Sequence, residues 1–300
     1  MTETRDAIGV GSLSPVRIRT RQIADSDIGS VAQLLMQGFA RSTIKDWLQI
    51  FGRLAEHPTP AGLPRFGYLM ESDGVPVGAI LIISSIVQTG NVSTIRCNLS
   101  GWYVSPVYKS YAHLLIARML KSKDLTFVNV SAAPHTLPTI EAQGFSRYSN
   151  GQFFALGAPF TFADDVPVKV VAAGGIVKSH FEAFEHELLQ THARCGCISL
   201  WCTTPDRAYP FVFRSRMVRG FVPCAQLIYC RSMEEFVRFY KPIGRFFARR
   251  GRPVIMMDAN GRISGLVGIY IDGILPRYYK GPVRPRLGDL AYTELALFGI

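Results

Sequence analysis

The stretch Trp102–Leu114 (WYVSPVYKSYAHL) contains the residues best suited to hold a charged ligand. Its start belongs to a strand-like run, and the apolar spacing after Tyr111 predicts a helix, so a strand leads into a helix through a short loop. Backbone N–H groups at a helix start lack partners within the helix, and with the helix dipole they favour an anion. Ser110 and Ala112 are small enough for a phosphate to approach the backbone, and Lys109 adds a positive charge. Many helices begin this way, so the pattern alone indicates an anion site without naming its ligand.

The elements around this stretch predict one α/β unit. Asp73-Gly74 between two strand-like runs favours a hairpin. The predicted elements, in chain order, are the strand Val16–Ala24, helices from Ile28 to Phe39 and Ile44–His57 (the second capped by Ser42), the strands Phe66–Glu71, Val77–Val87 and Ser93–Val104, the helix Tyr111–Lys121, the strand Leu125–Val130, the helix Pro138–Gln143 and the strand Ser146–Leu156. Antiparallel strands followed by a strand–helix–strand crossover predict the α/β (α+β) class: a mixed, mostly antiparallel sheet with flanking helices.

This order of elements and several landmarks resemble the GNAT (GCN5-related N-acetyltransferase) fold over Val16–Leu156. The acyl-CoA loop of that family, Val-x-Pro-x-x-Arg-Gly-x-Gly-x-Gly/Ala, is matched loosely by Val104, Pro106, Lys109, Ser110, Ala112 and Leu114, and its closing Gly-Phe by Gly144-Phe145. The resemblance implies an acyl-CoA substrate, acetyl-CoA or longer. It implies that the pyrophosphate lies on Lys109, Ser110, Tyr111, Ala112, His113 and Leu114, and the pantetheine along Trp102, Tyr103 and Val104 between splayed parallel strands.

The sequence departs from the family where the acid and base usually stand. Ile140 occupies the position of the common Tyr acid, Ala133 that of a common Asn, and the fourth strand carries no carboxylate. Three kinds of substitute are open: His135 as base because imidazole has a suitable pKa, Asn98 and Ser100 as groups that orient the acceptor, and Glu141. Each also has a structural interpretation, since His135 can cap a helix and the strand side chains can pair with a neighbouring strand.

The second half predicts another α/β domain, 179–300, after a linker 158–178 that follows the GNAT-like domain 16–157. Its predicted elements are the helix His180–Arg194, the strand Cys197–Cys202, the helix Pro205–Arg219, the strand Val222–Cys230, the helix Met233–Arg250, a hairpin of Pro253–Met257 with Ile263–Tyr270, and a strand in Leu290–Phe298. We interpret this half as a rearranged copy of the first with its hairpin placed last; generic α/β alternation is the alternative. Asp272, Asp289 and Glu294 are acids there that can meet an amine or serve in turns.

Composition limits the remaining possibilities. The 300 residues, 48% of them apolar and 18% charged, suit two folded domains, and the apolar runs are strand-sized, which excludes a membrane span. Residues 1–15 predict a disordered leader without a secretory pattern, so we expect a cytoplasmic protein with six reduced cysteines. The spacing His192-x-x-Cys195-x-Cys197 does not fit a zinc site, and no metal is expected. The net charge of +11, with its dense run Arg245–Arg252, suits an anionic ligand, although no nucleic-acid motif accompanies it.

Two functional hypotheses follow. In the first, the protein transfers an acetyl or longer acyl group from acyl-CoA to an amine or hydroxyl of a small molecule or saccharide. In the second, it is a catalytically degenerate GNAT-like protein that binds acyl-CoA or acts as a scaffold. Nucleic-acid binding rests on charge alone and ranks last, and the sequence leaves the oligomeric state and the acceptor open.

Overall fold

The computed structural model describes residues 17–89, 92–117, 119–157, 166–172 and 182–298. The predicted leader lies outside these residues, as does most of the predicted linker. The strands are β1 (Ile18–Gln22), β2 (Gly67–Ser72), β3 (Val75–Thr89), β4 (Val92–Val104), β5 (Leu125–Asn129), β6 (Ser146–Leu156), β7 (Val168–Val170), β8 (Ile198–Thr203), β9 (Ala208–Val218), β10 (Val222–Cys230), β11 (Val254–Ala259) and β12 (Gly268–Lys280). The α-helices are α1 (Ile28–Gly38), α2 (Ile44–Glu56), α3 (Leu114–Ala117), α4 (Leu137–Ala142), α5 (Ala183–Arg194), α6 (Met233–Ala248) and α7 (Glu294–Leu297).

All strands join one 12-stranded sheet in the order β1-β2-β3-β4-β5-β12-β6-β11-β10-β9-β8-β7. The pairs β4–β5 and β10–β11 are parallel, and the other pairs are antiparallel. Read from the β7 end, the order is β7-β8-β9-β10-β11-β6, which matches β1-β2-β3-β4-β5-β12 from the other end. Each of the strands β1 to β5 thus has a counterpart among β7 to β11, and β12 is the counterpart of β6. The mixed, mostly antiparallel sheet of two similar halves is therefore confirmed.

The two halves exchange their last strands. β12 lies between β5 and β6, and β6 lies between β12 and β11. A strand of the predicted second domain thus completes the sheet of the first, and the sheet runs unbroken across the predicted division. The hairpin predicted from Pro253 to Tyr270 does not form, because β6 separates its two strands. The hairpin of the second half is β8–β9 instead. The second half therefore repeats the strand order of the first, without the rearrangement we expected.

Three further predictions of element type or cap are wrong. The predicted helix Pro205–Arg219 is the strand β9, whose apolar run from Tyr209 to Phe213 is buried on both sides of the sheet. The predicted strand in Leu290–Phe298 is the single-turn helix α7, preceded by one bridge between Asp289 and Tyr229. Thr43 rather than Ser42 caps α2, through a reciprocal pair with Asp46. Aromatic and β-branched residues favour strands, and that preference outweighs the helix-start signal of Pro205.

Helices cover both faces of the sheet. The core beneath α1 and α2 includes Leu81 and Ile83 of β3, and α5 packs on the same face of the second half against Val128 and Ile228. The opposite face carries α3 and α4 over the first half and α6 over the second. Because side chains alternate between faces along a strand, the face to which each site residue points follows from these cores.

Candidate active site

The parallel strands β4 and β5 separate in the middle of the sheet. They pair from Ile95–Leu125 to Asn98–Val128 and not beyond. Past this point β4 continues beside β3, and β5 continues beside β12. The sheet therefore contains a split that opens at Asn98, which we call the first split.

A bulge bends β4 just beyond the first split. Leu81 opposes Ser100 and Ala79 opposes Tyr103, so one residue of β3 faces the two residues between them on β4. Gly101 has a φ of 53°, and a Cβ there would lie 3.2 Å from the Leu81 side chain. A bulge leaves its extra residue out of the regular ladder, so backbone polar groups become available beside the split.

The predicted cofactor residues line the strand and loop after this bulge. Trp102 and Val104 pack on the α3 face, whereas the Tyr103 ring lies on the α1 face, where a Cβ on Gly38 would meet it. The loop residues that the resemblance assigned to the pyrophosphate are mostly exposed: Lys109, Ser110, Tyr111 and His113. Their assignment to the cofactor remains a prediction.

The helix predicted over Tyr111–Lys121 is interrupted. Residues Pro106–Tyr111 form a 3-10 helix, and α3 is one turn long. The N–H of Ala112 donates to the Lys109 carbonyl at 3.1 Å, and Nδ1 of His113 lies 3.0 Å from the Ser110 carbonyl. A single helical turn has a weak dipole, so Lys109 and the exposed backbone must supply most of any attraction for an anion.

A buried carboxylate occupies the first split. Glu294 begins α7 and has 7% of its surface exposed. It accepts hydrogen bonds from Nδ2 of Asn98 and from Oγ of Ser131. Burial raises the pKa of Glu294, while the bonds from Ser131 and Asn98 act in the opposite direction. A carboxyl group with a raised pKa is suited to accept a proton from a nucleophile.

Neighbouring groups fix Glu294 in place. The guanidinium groups of Arg214 and Arg53 donate to the carbonyls of Leu295 and Leu297, each at 2.8 Å. Leu297 also packs into the core beneath α1 and α2. On the strand side, Oδ1 of Asn98 is buried without a hydrogen-bond partner in the described part of the chain. The first split thus contains a buried carboxylate, Glu294, and beside it a buried Asn98 oxygen that has no hydrogen-bond partner among the described residues.

The other predicted catalytic residues are spread around this cluster. Ser100 is buried on β4, on the same face as Asn98. His135 is exposed on a 3-10 turn and is not among the groups bonded to Glu294. Glu141 accepts from the Tyr278 hydroxyl at 2.9 Å and from Arg147 at 3.1 Å, beside the core of the opposite face.

Of the three acids that the sequence suggested in the second half, Glu294 alone lies in the split. Asp272 accepts from the Tyr270 hydroxyl in an exposed position. Asp289 pairs with Arg96 at 3.3 Å. Sequence reasoning assigned no role to Ser131, and it did not connect Glu294 with Asn98 because 196 residues separate them.

The second half contains a corresponding split that is closed. β10 and β11 pair only as far as Gln226–Met256. Beyond it the chain itself fills the gap, since the Cys230 N–H donates to the Gly288 carbonyl at 2.9 Å and the Leu290 N–H donates to the Ile228 carbonyl at 2.7 Å. The helix after β10 begins with Glu234 and Glu235, which repel an anion. The two halves therefore differ in what their splits can bind.

Among the described residues, no group of three or more His, Cys, Asp or Glu side chains can hold a metal ion. Burial lowers the pKa of His192 to about 4, and its two nitrogens bond to the Leu188 carbonyl and the Tyr292 N–H. Within the same residues, no helix is long and apolar enough to cross a membrane.

Solved structures with the same fold include GCN5-related N-acetyltransferases. A GCN5-related N-acetyltransferase from Anabaena variabilis has a TM-score of 0.58 at 13% identity, over 88% of this chain and 72% of that chain. A GCN5-related N-acetyltransferase from Kribbella flavida has a TM-score of 0.55 at 12% identity, over 88% of this chain and 71% of that chain. Eis1 from Mycobacterium abscessus has a TM-score of 0.50 at 11% identity, over 91% of this chain and 74% of that chain. No protein-family model and no curated protein matches the sequence.

The chain thus has the fold of the GCN5-related N-acetyltransferases, and the resemblance seen in the sequence is confirmed at the level of fold. Each of these structures covers about nine-tenths of this chain, so the likeness extends over both halves. Identities of 11 to 13% show the fold alone, and activity has to be argued from the site.

Proposed function

We propose that the protein is an acyltransferase that moves an acetyl or longer acyl group from acyl-CoA to an amine or hydroxyl of a small molecule or saccharide. The observation that carries the proposal is the buried carboxylate of Glu294 in the first split, bonded to Asn98 and Ser131. It supplies from the end of the chain the base that β4 lacks. The fold supports an acyl-CoA substrate, since the structural neighbours are acetyltransferases.

In the proposed reaction, the acceptor nitrogen or oxygen attacks the thioester carbonyl carbon and forms a new bond to it. Glu294 takes the proton that the acceptor loses, and Oδ1 of Asn98 accepts a hydrogen bond that orients the acceptor. The carbon–sulfur bond breaks, and its electron pair leaves with the CoA thiolate. Backbone N–H groups at the β4 bulge around Gly101 are suited to stabilise the charge that develops on the carbonyl oxygen.

The cofactor end of the site follows from the loop after β4. Exposed Lys109 and the backbone up to Leu114 would meet the pyrophosphate, and Trp102 to Val104 would flank the pantetheine. Because a thiolate leaves readily, the reaction proceeds without the Tyr acid that Ile140 replaces. Ile140 is buried in the core with 1% exposure, and it offers no proton.

An acyl-CoA-binding protein without turnover is the alternative, and Ile140 together with the single-turn α3 favours it. Two measurements separate the hypotheses. Thermal shift with acetyl-CoA and longer acyl-CoAs reports binding, and release of free thiol with a panel of amines and alcohols reports transfer. Binding with acceptor-dependent thiol release supports the enzyme, binding without release with any acceptor supports the alternative, and no binding contradicts both.

A further inference from the structure

Arginines cluster at one end of the sheet in the second half. At this end β9 and β6 finish and β10, β11 and β12 begin, and we call it the basic end. A cavity of about 270 Å³ opens there between the β9–β10 hairpin and the chain that joins α6 to β11. Three of its seven lining residues are Arg216, Arg250 and Arg252, and none is acidic. Arg219 in the hairpin turn and Arg249 after α6 are exposed and add two charges.

Side-chain contacts hold these arginines in place without neutralising them. The guanidinium of Arg250 lies over the Phe246 ring, 3.7 Å from its centroid, and donates to the Phe246 carbonyl at 3.1 Å. Arg252 donates to the Arg250 carbonyl at 3.3 Å, and Arg216 donates to Oε1 of buried Gln226 at 3.2 Å. A guanidinium has five N–H donors, so most of them remain for a ligand. Within the described part of the chain, Arg216, Arg250 and Arg252 form no ion pair with a carboxylate.

The acids of the surrounding elements lie far from the basic end. Within residues 198–257 they are Asp206, Glu234 and Glu235. Asp206 precedes the first residue of β9, whereas the arginines lie where β9 finishes. The two glutamates begin α6, which has 16 residues and is about 24 Å long, and the basic run lies at its other end. Positive charge is therefore concentrated at the basic end, where it favours an anionic partner.

Exposed apolar side chains occur at the same end. The strands that meet there are neighbours in the order β9-β10-β11-β6-β12, so their ends span roughly 19 Å at a spacing of about 4.8 Å. The large apolar residues exposed there are Met217 (54%), Phe221 (70%), Leu156 (56%) and Val267 (71%). Phe221 lies in the turn between β9 and β10, and the Leu156 N–H donates to the Val267 carbonyl at 2.9 Å. Exposed apolar groups that lie together among charged ones are typical of an interaction surface.

The corresponding end of the first half lacks this combination. The counterpart of the β9–β10 hairpin is β3–β4. Residues 87–89 and 92–94, which flank its turn, carry no charge, although Val92 is 61% exposed. The chain before β5 carries charges of both signs, Lys123 and Asp124. The basic end is therefore a property of the second half and does not follow from the shared fold.

We propose that the basic end binds an anionic lipid surface. The arginines pair with lipid phosphates, and Phe221 and Met217 enter the boundary between headgroups and acyl chains. Charge and exposed apolar side chains on one surface are the two features that such binding needs. The phosphates of a nucleic acid would use the arginines alone and would leave Met217, Leu156 and Val267 in water. This inference goes beyond the proposed function and does not depend on it.

The test is co-sedimentation of the full chain with lipid vesicles in the absence of CoA. One set of vesicles is phosphatidylcholine alone, and the other is an equal mixture of phosphatidylcholine and phosphatidylglycerol. We expect binding to the mixture only, and we expect it to weaken as the Debye length falls from about 8 Å at 0.15 M salt to about 3 Å at 1 M. Equal binding to both vesicles, or binding to neither, overturns the proposal.

Two pairs of variants locate the contact. Arg250→Gln should bind the mixed vesicles about fivefold more weakly, whereas Arg19→Gln should not change binding. Arg19 is exposed on β1, eight strands from β10 and so about 40 Å away. Equal losses in these two variants would mean that net charge alone acts, and would overturn the proposal.

The second pair concerns the apolar contact. Phe221→Ser should weaken binding about tenfold, and Val92→Ser, at the corresponding turn of the first half, should leave it unchanged. All four substituted side chains are exposed, so we expect each variant to keep the wild-type midpoint of thermal unfolding. Unchanged vesicle binding by Phe221→Ser overturns the role given to the hairpin.

Competition with the wild-type protein separates lipid from nucleic acid without any variant. A single-stranded oligonucleotide is added to the mixed vesicles at a phosphate concentration equal to that of the anionic lipid. Protein that stays on the vesicles supports the proposal, and protein that leaves them for the oligonucleotide overturns it. Acetyl transfer is measured without vesicles, so failure of this proposal leaves the proposed function standing.

Discussion

Replacing Glu294 by Gln tests the proposed base with little change in shape. The hydrogen bonds have replacements, since the amide oxygen accepts from Nδ2 of Asn98 and the amide nitrogen donates to Oγ of Ser131. The variant cannot take a proton, and general-base catalysis contributes about 10²- to 10⁴-fold. We expect kcat/KM for the acyl acceptor to fall by that factor, with the affinity for acyl-CoA unchanged.

The assay is the initial rate of thiol release as a function of pH. Because burial raises the pKa of Glu294 above its ordinary value of 4.5, the wild-type rate should rise with pH through a value above 4.5 and the Glu294→Gln profile should lack that limb. Glu56→Gln, at the exposed end of α2, is the matched control and should keep the wild-type profile. A Glu294→Gln enzyme with the wild-type rate and the same pH limb would show that Glu294 is not the base.

The pH dependence of the free energy of unfolding gives an independent test of the raised pKa of Glu294. A carboxyl group with a raised pKa binds its proton more tightly in the folded state, so its contribution is complete below the unfolded pKa of 4.5 and is lost as pH rises through the folded pKa. Gln does not titrate. The free energy of unfolding of the wild type, relative to Glu294→Gln, should therefore decrease as pH is raised above 4.5, and a difference that increases over this range would contradict the assignment.

Three further predictions concern the loop, the centre of the sheet and the bulge. Lys109→Ala should raise the KM for acyl-CoA about fivefold without changing kcat, because an exposed ion pair contributes about 1 kcal/mol. Lys123 is also exposed, and Lys123→Ala is the control that should leave the KM unchanged. Asp258→Asn breaks the buried pair with Arg277, which spans 3.0 Å, and should lower the free energy of unfolding in urea by about 3–5 kcal/mol. Gly101→Ala should lower the free energy of unfolding by about 1–2 kcal/mol because of the positive φ, and by a further amount because the new Cβ meets Leu81. Gly62→Ala is the control, since Gly62 has a φ of 82° and no atom within 4 Å of the added Cβ, so it reports the effect of φ alone. Equal losses of stability in the two variants would argue against the Leu81 contact.

Local patterns identified much of the first half. The Asp73-Gly74 turn does join β2 to β3, and the strands around it form close to their predicted bounds. The sequence signals there are short-range: alternation, turn residues and helix caps. The same rules failed at β9, where Pro205 resembled a helix start although the aromatic run Tyr209–Phe213 belongs in a sheet.

Those local patterns did not predict contacts between segments that are distant in the sequence. No sequence signal near β11 and β12 shows that they are not neighbours in the sheet. The strand that lies between them, β6, is more than 90 residues earlier in the chain. The site shows the same limit, since the sequence singled out Asn98 on β4, whereas its partner Glu294 follows the last strand. The acid was visible in the sequence, but its burial and its hydrogen bonds come only from tertiary packing.

The exchange of β6 and β12 fixes the order in which the protein can become complete during synthesis. Until β12 has been made, β5 and β6 have unpaired edges that favour association with other chains. Glu294 emerges from the ribosome after β12, so the first split acquires its carboxylate only once both halves have been translated. A fragment that ends before β12 should therefore need a chaperone and lack the base, which makes activity a report on the folding of the whole sheet.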